Sequence, residues 1–432
     1  MSELRIDHFD ELLKDEGPAA IVLKRKLRPV EGDDSWIFPP TFAQSESADD
    51  DEEGRGGSYQ IDPLPDDSRR NVCLIDSVGS QANRIEPIFK QEPYSALVPQ
   101  IRVKMQGDDE INLLDAGHRA ADAVVRFSKT FGPSISEAFK RYQAKRDCTS
   151  LIKIAPTSLL FGVWDSRATG AKIQRIIRSV IRAYNVTESR RSATFQAAYD
   201  YTANLVIDPA LDKGSGKNNP LSQEGFKYSL ATKTHGGVTV KSGIQQEAVI
   251  NLVALRVLSP DIAIKRYLLG LSLVALSYRD QSGFNLREGC LLCAATKADL
   301  DGSWRVVYFD GTEINGTDDT SIFKAFTHQK AFAFAMETIK PGTGVSIFHP
   351  DADAFDKDTA EKWLAIDKKK RKTLAKAKHP AKAIADEAVA ATKKAAADTN
   401  KDKARKGQDS QRVHPDAEEL SAISEDEAAK NE

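Results

Sequence analysis

The apolar positions of the chain follow strand and helix periods in short segments. Strands are predicted at residues 21–27, 71–76, 151–164 with a break at Pro156, and 193–206, and helices at residues 111–128, 134–146 and 170–184. Strand and helix signals then alternate irregularly between residues 247 and 337. Because this order lacks the regular spacing of βαβ units, it predicts an α+β fold and not a doubly wound parallel sheet.

Residues 159–184 (LLFGVWDSRATGAKIQRIIRSVIRAY) combine an apolar run, a polar turn and a basic half. On a helical wheel the apolar side chains oppose the cations, with Ile173, Ile176, Ile177, Val180 and Ile181 on one side and Lys172, Arg175, Arg178 and Arg182 on the other. The predicted helix contains no Asp or Glu, although a solvated helix face normally mixes both signs. On this pattern alone, a site for nucleic-acid phosphates and a solvated face are both open.

The turn before the predicted helix, residues 165–170, is rich in hydrogen-bonding groups. Ser166 and Thr169 can cap the helix, Arg167 adds a cation, and Gly170 lets a phosphate approach the free N–H groups. The turn lacks the Gly-Lys-Ser/Thr ending of a P-loop. Asp165 is a conceivable metal ligand or acid–base group, but a local hydrogen-bonding role is favoured because no carboxylate or histidine adjoins it.

A second candidate site is residues 77–86 (SVGSQANRIE), where a small-residue turn follows a predicted strand. Ser80 or Asn83 is expected to cap a short helix that ends near Pro87. Gln81, Asn83 and Arg84 are placed to donate hydrogen bonds to phosphate oxygens. An ordinary capped turn fits the same pattern equally well.

A third candidate site is the strand at residues 21–27. Lys24 and Lys26 alternate along it and therefore share one face. They are candidate contacts to a nucleic-acid backbone. The alternative is an edge strand on which lysines prevent further pairing.

Composition divides the chain into regions. Its 432 residues, 41% of them hydrophobic, allow a sizeable core, and a net charge of −2 conceals local bias. Residues 44–58 are acidic and Gly/Ser-rich, which predicts a flexible loop inside a domain spanning residues 1–366. Residues 208–243 are rich in Gly, Lys and Ser and predict a protruding hairpin or mobile loop. Residues 367–432 form an Ala/Lys/Glu-rich extension, expected to be partly disordered or helical.

The pair Cys290 and Cys293 has C-x-x-C spacing, which fits a redox-active pair or half of a zinc site, but a structural zinc site needs two more ligands. Cys73 and Cys148 are isolated, and the seven histidines show no metal spacing. A buried strand with two small apolar side chains is therefore favoured. No metal, cofactor or catalytic residue is predicted, because no G-x-S-x-G, H-E-x-x-H, Rossmann or paired-carboxylate pattern is present.

The first residues are polar and lack the apolar region of a secretory signal. The longest apolar stretch, residues 267–276, is too short to span a bilayer. A cytoplasmic location without membrane contact is expected.

Several of these segments resemble one family: NVCLIDSVGSQANRIEPIF, LLDAGHRAADAVVRFS, SLLFGVWDSRATGAKIQRIIRSVIRAY, LSQEGFKYSLATKTHGGVTV and VINLVALRVL. Together they resemble the backbone subunit of a type I-G (formerly I-U) CRISPR Cascade, the Cas-seven type of the repeat-associated mysterious protein (RAMP) superfamily. The resemblance covers roughly residues 21–340, and its most specific part is DSR-x-x-G-AKI-x-R. The acidic loop and the tail are outside it.

The resemblance implies a modified RRM-like (ferredoxin-like) core with inserted finger and thumb elements, residues 208–243 being the expected thumb. It implies copies that assemble head-to-tail along CRISPR RNA, together with other Cascade subunits, and target DNA that binds through base pairing to the guide. Such a subunit holds the RNA backbone without reading bases. In keeping with this, aromatic residues make up only 7% of the chain.

Two alternatives remain open. One is an RNA-cleaving RAMP backbone subunit of type III character, with Asp165 or an acidic loop residue acting on target RNA. The other is a nucleic-acid-binding scaffold protein unrelated to CRISPR.

Overall fold

Buried strands from distant parts of the chain pair into one antiparallel sheet that organises the fold. The structure, a computed structural model, describes residues 5–42, 58–65, 67–214, 219–227, 229–278, 284–342, 344–347, 350–390 and 392–393. All but Ser58 of the predicted acidic loop, and most of the predicted tail, lie outside these residues.

The strands are β1 (Ala20–Pro29), β2 (Thr41–Phe42), β3 (Ser58–Tyr59), β4 (Ile61–Leu64), β5 (Asp67–Asp76), β6 (Arg102–Lys104), β7 (Glu110–Asn112), β8 (Val163–Trp164), β9 (Lys172–Ile173), β10 (Ile177–Tyr184), β11 (Val186–Phe195), β12 (Ser229–Val240), β13 (Ile244–Asn251), β14 (Phe284–Arg287), β15 (Cys290–Ala294), β16 (Ser303–Val307), β17 (Glu313–Asn315) and β18 (Asp353–Ala354). The helices are α1 (Asp10–Leu13), α2 (Val78–Ile85), α3 (Ala123–Arg126), α4 (Phe131–Lys145), α5 (Thr149–Ile154), α6 (Pro156–Leu160), α7 (Pro220–Gln223), α8 (Leu252–Arg256), α9 (Ile262–Ser277), α10 (His328–Glu337), α11 (Lys357–Ala365) and α12 (Lys368–Ala377). The predicted α+β class is confirmed.

Among the described residues, the main sheet has nine strands, in the order β14-β15-β1-β13-β10-β5-β4 with β16 and β17 attached to β1. Its pairs are antiparallel. Strand β1 pairs with β13 along one edge and with β15 and β16 along the other. Because β1 lies inside the sheet, the interpretation of Lys24 and Lys26 as edge-strand lysines is wrong.

The two faces of the sheet differ in polarity. Alternate residues of β1, β13 and β10 are buried on what we call the inner face, where they join two apolar clusters. One cluster contains Leu23, Ala248 and Ile177, and the other contains Leu27 and Ala183. Except for the buried Arg25, the charged residues of the same strands lie on the opposite, outer face, so strand periodicity separates core from candidate site.

Helix α9 packs within the first apolar cluster and is buried without interruption from Tyr267 to Ser277. Asp261 caps its start, since its Oδ1 accepts a hydrogen bond from the Ala263 N–H at 2.8 Å. At Gly270, a Cβ would lie 3.1 Å from the Cα of Ala335 on α10. This glycine therefore lets the two helices approach closely, and each buried leucine around it stabilises the fold by about 1.5–3 kcal/mol.

The predicted helix at residues 170–184 is wrong, because this segment forms β9 and β10. Strand β10 lies between β13 and β5, and even Val180 on its outer side is only 2% exposed. Because Val180 is buried on the outer side as well, the apolar residues of this segment have a spacing that also fits a helical wheel. The β-branched side chains Ile177, Val180 and Ile181 favour the strand.

The predicted strands at residues 151–164 are also wrong, apart from the short β8. Helices α5 and α6 occupy most of the segment. Pro156 was interpreted as a strand break, but it is the first residue of α6, where a missing N–H costs nothing. Residues 111–128 form β7, several turns and the short α3 instead of a continuous helix.

Strands β11 and β12 form a separate two-stranded hairpin between β10 and β13. Strand β11 ends at Phe195, so the strand predicted at residues 193–206 is wrong beyond that residue. Within residues 208–243, β12 pairs with the earlier β11, so the hairpin begins before the predicted range.

The chain divides into two compact units, Met1–Asp356 and Lys357–Glu432. The boundary lies before the one expected at residue 367. Within the second unit, Asp367 caps α12 by accepting from the Lys369 N–H at 2.8 Å, so the start of the extension is helical. Across the described part of the chain, no helix is both long and apolar enough to cross a membrane.

Candidate nucleic-acid interface

Within residues 159–184, strands β8 and β9 form a hairpin that is closed by residues 165–171. Trp164 lies opposite Lys172 and Val163 opposite Ile173. The turn is closed by main-chain bonds, from the Asp165 N–H to the Ala171 carbonyl at 2.8 Å and from the Gly170 N–H to the Asp165 carbonyl at 2.8 Å. Gly170 has φ +79°, a left-handed conformation that glycine adopts without strain.

Inside this turn, Asp165 and Thr169 bond to each other. Asp165 Oδ2 accepts from the Thr169 N–H at 2.8 Å and from Thr169 Oγ1 at 2.7 Å, and both residues are buried. The Thr169 hydroxyl also accepts from the Ala171 N–H at 3.2 Å. Asp165 therefore has the local role favoured from sequence, whereas Thr169 caps no helix and its hydroxyl is occupied within the turn.

Cations surround this hairpin. Ser166, Arg167 and Lys172 are exposed, and Arg175 is half-buried. Burial, and then the charge of Arg119, lower the pKa of Arg175. Burial and Arg167 likewise lower the pKa of Arg126, against the opposing effect of Asp165. Like charges are thus close enough to repel one another, and an anion beside them would relieve that repulsion.

A hollow of about 370 Å³ lies between the end of α4 and the turn. Tyr142, Arg146 and Lys172 line it. The Gln143 amide donates to the Thr169 carbonyl at 2.8 Å and so fixes the turn against α4. The hollow is polar and has cations at its rim, so its size and charge suit a phosphate group.

The outer face of the sheet is the second basic surface. Its cations are Lys24, Lys26 and Arg28 on β1 and Arg178 and Arg182 on β10, and β13 lies between these two strands. Glu247 is the only acidic residue in the sequences of β1, β10 and β13. Its carboxylate lies 3.2 Å from Lys24 and 3.4 Å from Arg182, so one carboxylate serves two cations. Lys26, Arg28 and Arg178 are exposed.

The candidate site at residues 77–86 is mostly internal. Ser77 caps α2, instead of Ser80 or Asn83, by accepting from the Ser80 N–H at 3.2 Å. Ser80 is half-buried. Asn83 is exposed, and its Oδ1 accepts from Arg119 at 3.5 Å.

Gln81 is buried and bonds inward, a geometry that does not support its predicted role as an RNA contact. Its amide donates to Asp76 at 2.7 Å, and its Oε1 accepts from Ser179 at 2.9 Å and from Gln246 at 3.1 Å. Gln246 in turn accepts from the buried Arg25 at 2.9 Å. A polar network thus lies on the inner face between the two apolar clusters, where each polar group needs a partner.

Arg84 belongs to the same network. Its Nε lies 3.1 Å from the fully buried carboxylate of Asp76, and its Nη2 donates to the Leu286 carbonyl. A cavity of about 390 Å³ adjoins these residues, lined also by Gln81, Ile88 and Leu276. Arg84 is partly exposed, but its guanidinium holds α2 to β14, so its predicted role in RNA binding is not supported by this geometry.

The cysteine pair lies on β15, as the strand interpretation predicted. Cys290 is buried, and burial raises the pKa of its thiol to about 11. Among the described residues, no group of three or more His, Cys, Asp or Glu side chains could hold a metal ion.

The predicted site residues therefore form two groups, with Ser166, Arg167 and Lys172 on the hairpin and Lys24, Lys26 and Arg178 on the outer face. Arg175 lies in the link between them. Sequence reasoning missed Trp164, which is 60% exposed, and Arg146 beside the turn. For Trp164, the available signal in the sequence was its position directly before the turn that contains Arg167. The sequence holds no such signal for Arg146, because only the packing of α4 brings Arg146 near that turn.

Residues 21–188 match the family described as CRISPR-associated protein GSU0053. None of the curated proteins compared with the chain matches it. A solved structure of a CRISPR RNA-guided surveillance complex, pre-nicking, aligns at 14% identity over 74% of this chain and 88% of that chain, with a TM-score of 0.30. The crystal structure of Methanopyrus kandleri Csm3 aligns at 11% identity over 68% of this chain and 78% of that chain, with a TM-score of 0.22.

At these TM-scores, neither structural likeness carries an argument about this chain. The family match is independent of these two structural comparisons and spans β1, β5, α2, the β8–β9 hairpin and β10. Residues 21–188 thus match a CRISPR-associated family, which confirms the resemblance to such a family that the sequence indicated.

Proposed function

We propose that this chain is a non-catalytic backbone subunit of a CRISPR effector and binds the guide RNA through its phosphates. The observation that carries the proposal is the outer face of β1, β13 and β10, on which these strands carry five cations and a single carboxylate, Glu247. An excess of cations on an ordered surface attracts a polyanion, and the acidic residues elsewhere in the chain keep the total charge near zero. The family match covers all five of these cations.

The strand order supports an RRM-like core. The neighbours β16, β1, β13 and β10 pair antiparallel in that order. Helices lie in the chain between β1 and β10 and between β13 and β16. The two strand–helix–strand units are β1 with β10 and β13 with β16. In the sheet, β13 lies between β1 and β10, and β1 lies between β13 and β16. This interleaving of the two units is the ferredoxin-like pattern. In this proposal the β11–β12 hairpin is the thumb.

The proposal extends to how the guide is accepted, how target DNA binds and how copies assemble. Lysine and arginine side chains that contact phosphates carry no sequence information, as a subunit that accepts any guide requires. Target DNA would bind by pairing with the guide, and further copies, head-to-tail, and other Cascade subunits would extend the groove. Type I-G membership and a cytoplasmic location are part of this proposal.

The test is the salt dependence of binding to a single-stranded RNA. Arg167, Lys172 and Arg178 are exposed, so reversing all three to Glu should leave the fold intact. The half-buried Arg175 is left unchanged, because it packs closely against Gly162 and a change there would test folding together with RNA binding. The triple variant should lose bound RNA during purification. Each lost phosphate contact should flatten the slope of log K against log salt by about 0.7.

A matched control reverses Lys297, Lys324 and Lys340, which are exposed cations outside both basic surfaces. This control should retain RNA. Equal RNA retention by both triple variants would contradict the proposal, and heterogeneous DNA in the wild-type preparation would favour a scaffold protein unrelated to CRISPR. Guide-length RNA in the wild-type preparation is the expected result.

The absence of catalysis is part of the proposal. Both donors of Thr169 bond to the Asp165 carboxylate, which is buried in the turn, so this side chain is poorly placed to act on RNA. Purified complex should leave target RNA intact in magnesium or manganese. Cleavage that is lost in Asp165→Asn would establish the RNA-cleaving alternative instead.

A further inference from the structure

Trp164 is exposed on the β8–β9 hairpin at a position that the phosphate-binding proposal does not use. It is 60% exposed, whereas Trp304 and Trp363 are 6% and 4% exposed. Lys172 lies opposite it in the ladder, with its ammonium nitrogen 5.6 Å from the centroid of the indole ring. The indole therefore has a cation close by and a large area open to solvent.

The hairpin holds this indole in a defined position. Val163 and Ile173, the next pair in the ladder, are buried at 6% and 3% exposure. Because side chains alternate along a strand, Trp164 and Lys172 point to the opposite side, away from the core. The Asp165–Thr169 bonds and the Gln143 contact fix the adjoining turn. A ring held in this way loses little conformational freedom when a ligand stacks on it.

The surroundings of the indole favour a nucleic-acid ligand over a protein partner. Arg167 and Lys172 are exposed next to it, with Ser166 and Gln174, and these are polar rather than apolar neighbours. Asp165 is the only acidic residue between positions 159 and 187, and its carboxylate is turned into the buried turn. An aromatic platform flanked by cations matches how single strands are bound, with bases stacked on rings and phosphates on the cations.

We propose that Trp164 is a stacking platform for one unpaired nucleobase of a bound RNA strand, with Lys172 and Arg167 at the adjoining phosphates. This inference rests on the proposed RNA-binding function and adds a base contact to it. The contact is independent of sequence, because every base has a π-face. It is therefore compatible with a subunit that accepts any guide.

The experiment uses the full chain and an oligouridylate, with intrinsic fluorescence and a separate binding assay. Trp304 and Trp363 are buried, so contact quenching can come only from Trp164 or from Trp36, which is 39% exposed and has the Arg191 guanidinium 5.8 Å from its ring. Trp36 is thus a matched control. Quenching should persist in Trp36→Phe and disappear in Trp164→Phe, which retains a ring and most of the affinity.

Trp164→Ala should weaken oligouridylate binding by about 5- to 150-fold at every salt concentration. The salt slope should not change, since stacking releases no counterions. In contrast, Lys172→Gln should flatten the slope. Thermal unfolding of the variants reports whether the fold is intact, and Trp164→Phe provides the answer if the alanine variant does not fold.

Two results would overturn the inference alone: unchanged RNA affinity in Trp164→Ala, or quenching that is lost in Trp36→Phe and kept in Trp164→Phe. Loss of self-association in Trp164→Ala with unchanged RNA affinity would instead identify a protein contact and also overturn it. If the wild-type chain binds no oligouridylate and retains no RNA, the proposed function itself fails, and the inference with it.

Discussion

Asp353 caps helix α4 from a position 222 residues away from Phe131, whose N–H donates to Asp353 Oδ2 at 2.8 Å. The Thr130 N–H donates to the same oxygen at 2.7 Å. Thr130, at the N-cap position, makes no capping bond with its own side chain. A distant carboxylate therefore satisfies two free N–H groups at the start of α4, and the other end of this helix contacts the turn at residues 165–171.

Asp353→Ala should lower the free energy of unfolding by about 1 kcal/mol at neutral pH, the usual value of an N-cap. Although burial by itself raises the pKa of Asp353, the N–H groups of Phe131, Thr130 and Ala354 outweigh it and hold the pKa below its ordinary value. The contribution is therefore present above the ordinary carboxyl pKa and lost as pH falls through the lowered one.

Urea unfolding across this pH range checks the capping prediction, with hydrogen exchange of α4 as a local readout. The difference between wild type and Asp353→Ala should vanish in acid. Asp351→Ala, at an exposed neighbouring position, should have no effect at either pH. If Asp353→Ala lowers the free energy of unfolding as much in acid as at neutral pH, the charge of the carboxylate contributes nothing to the cap.

Gln81→Leu should destabilise the fold without changing the salt dependence of RNA binding. The substitution removes the partner of Ser179, Gln246 and Asp76 in a buried network. We expect a loss of about 1–3 kcal/mol in the free energy of unfolding. Asn83→Leu, two residues later and exposed, should change it by less than about 0.5 kcal/mol. A flattened salt slope in Gln81→Leu would restore Gln81 as an RNA contact.

Asp165→Ala should loosen the basic turn, because it leaves two donors of Thr169 without their acceptor at a buried position. We expect about 1–3 kcal/mol of lost stability, measured by chemical unfolding. RNA affinity should fall as well, since Arg167 and Lys172 lose their fixed positions. Ser166→Ala, at the exposed position next to it, serves as control and should unfold like the wild type.

Alkylation of the folded chain near pH 8 should label Cys293 before the other cysteines. Burial raises the thiol pKa of Cys73 and Cys148 to about 12 and that of Cys290 to about 11, whereas Cys293 is half-buried. Because the thiolate is the reactive form, the three buried thiols should react only after unfolding. Mass spectrometry of the labelled peptides measures the order. Equal labelling of Cys290 and Cys293, or their ready oxidation to a disulfide, would favour the redox interpretation of the pair.

Periodicity predicted the elements that have one buried face or clear end signals. Strand β1, with alternating cations, and helix α4 were predicted nearly to their ends. The failures occurred in β10, where the buried outer residue Val180 interrupts the alternation, and at Pro156, which begins α6 instead of breaking a strand. In both cases the local pattern fits two structures, and only packing chooses between them.

By itself, the sequence determined the α+β class, the family resemblance and the chemistry of the candidate site, since these depend on which side chains are present and in what order. Only the tertiary structure decided which of them face outward. Gln81 and Arg84 bond inward because α2 packs against the inner face. Lys24 and Arg178 share the outer face because β13 pairs with both of their strands. Side chains from distant segments come together only through pairing and packing, which residue order does not express.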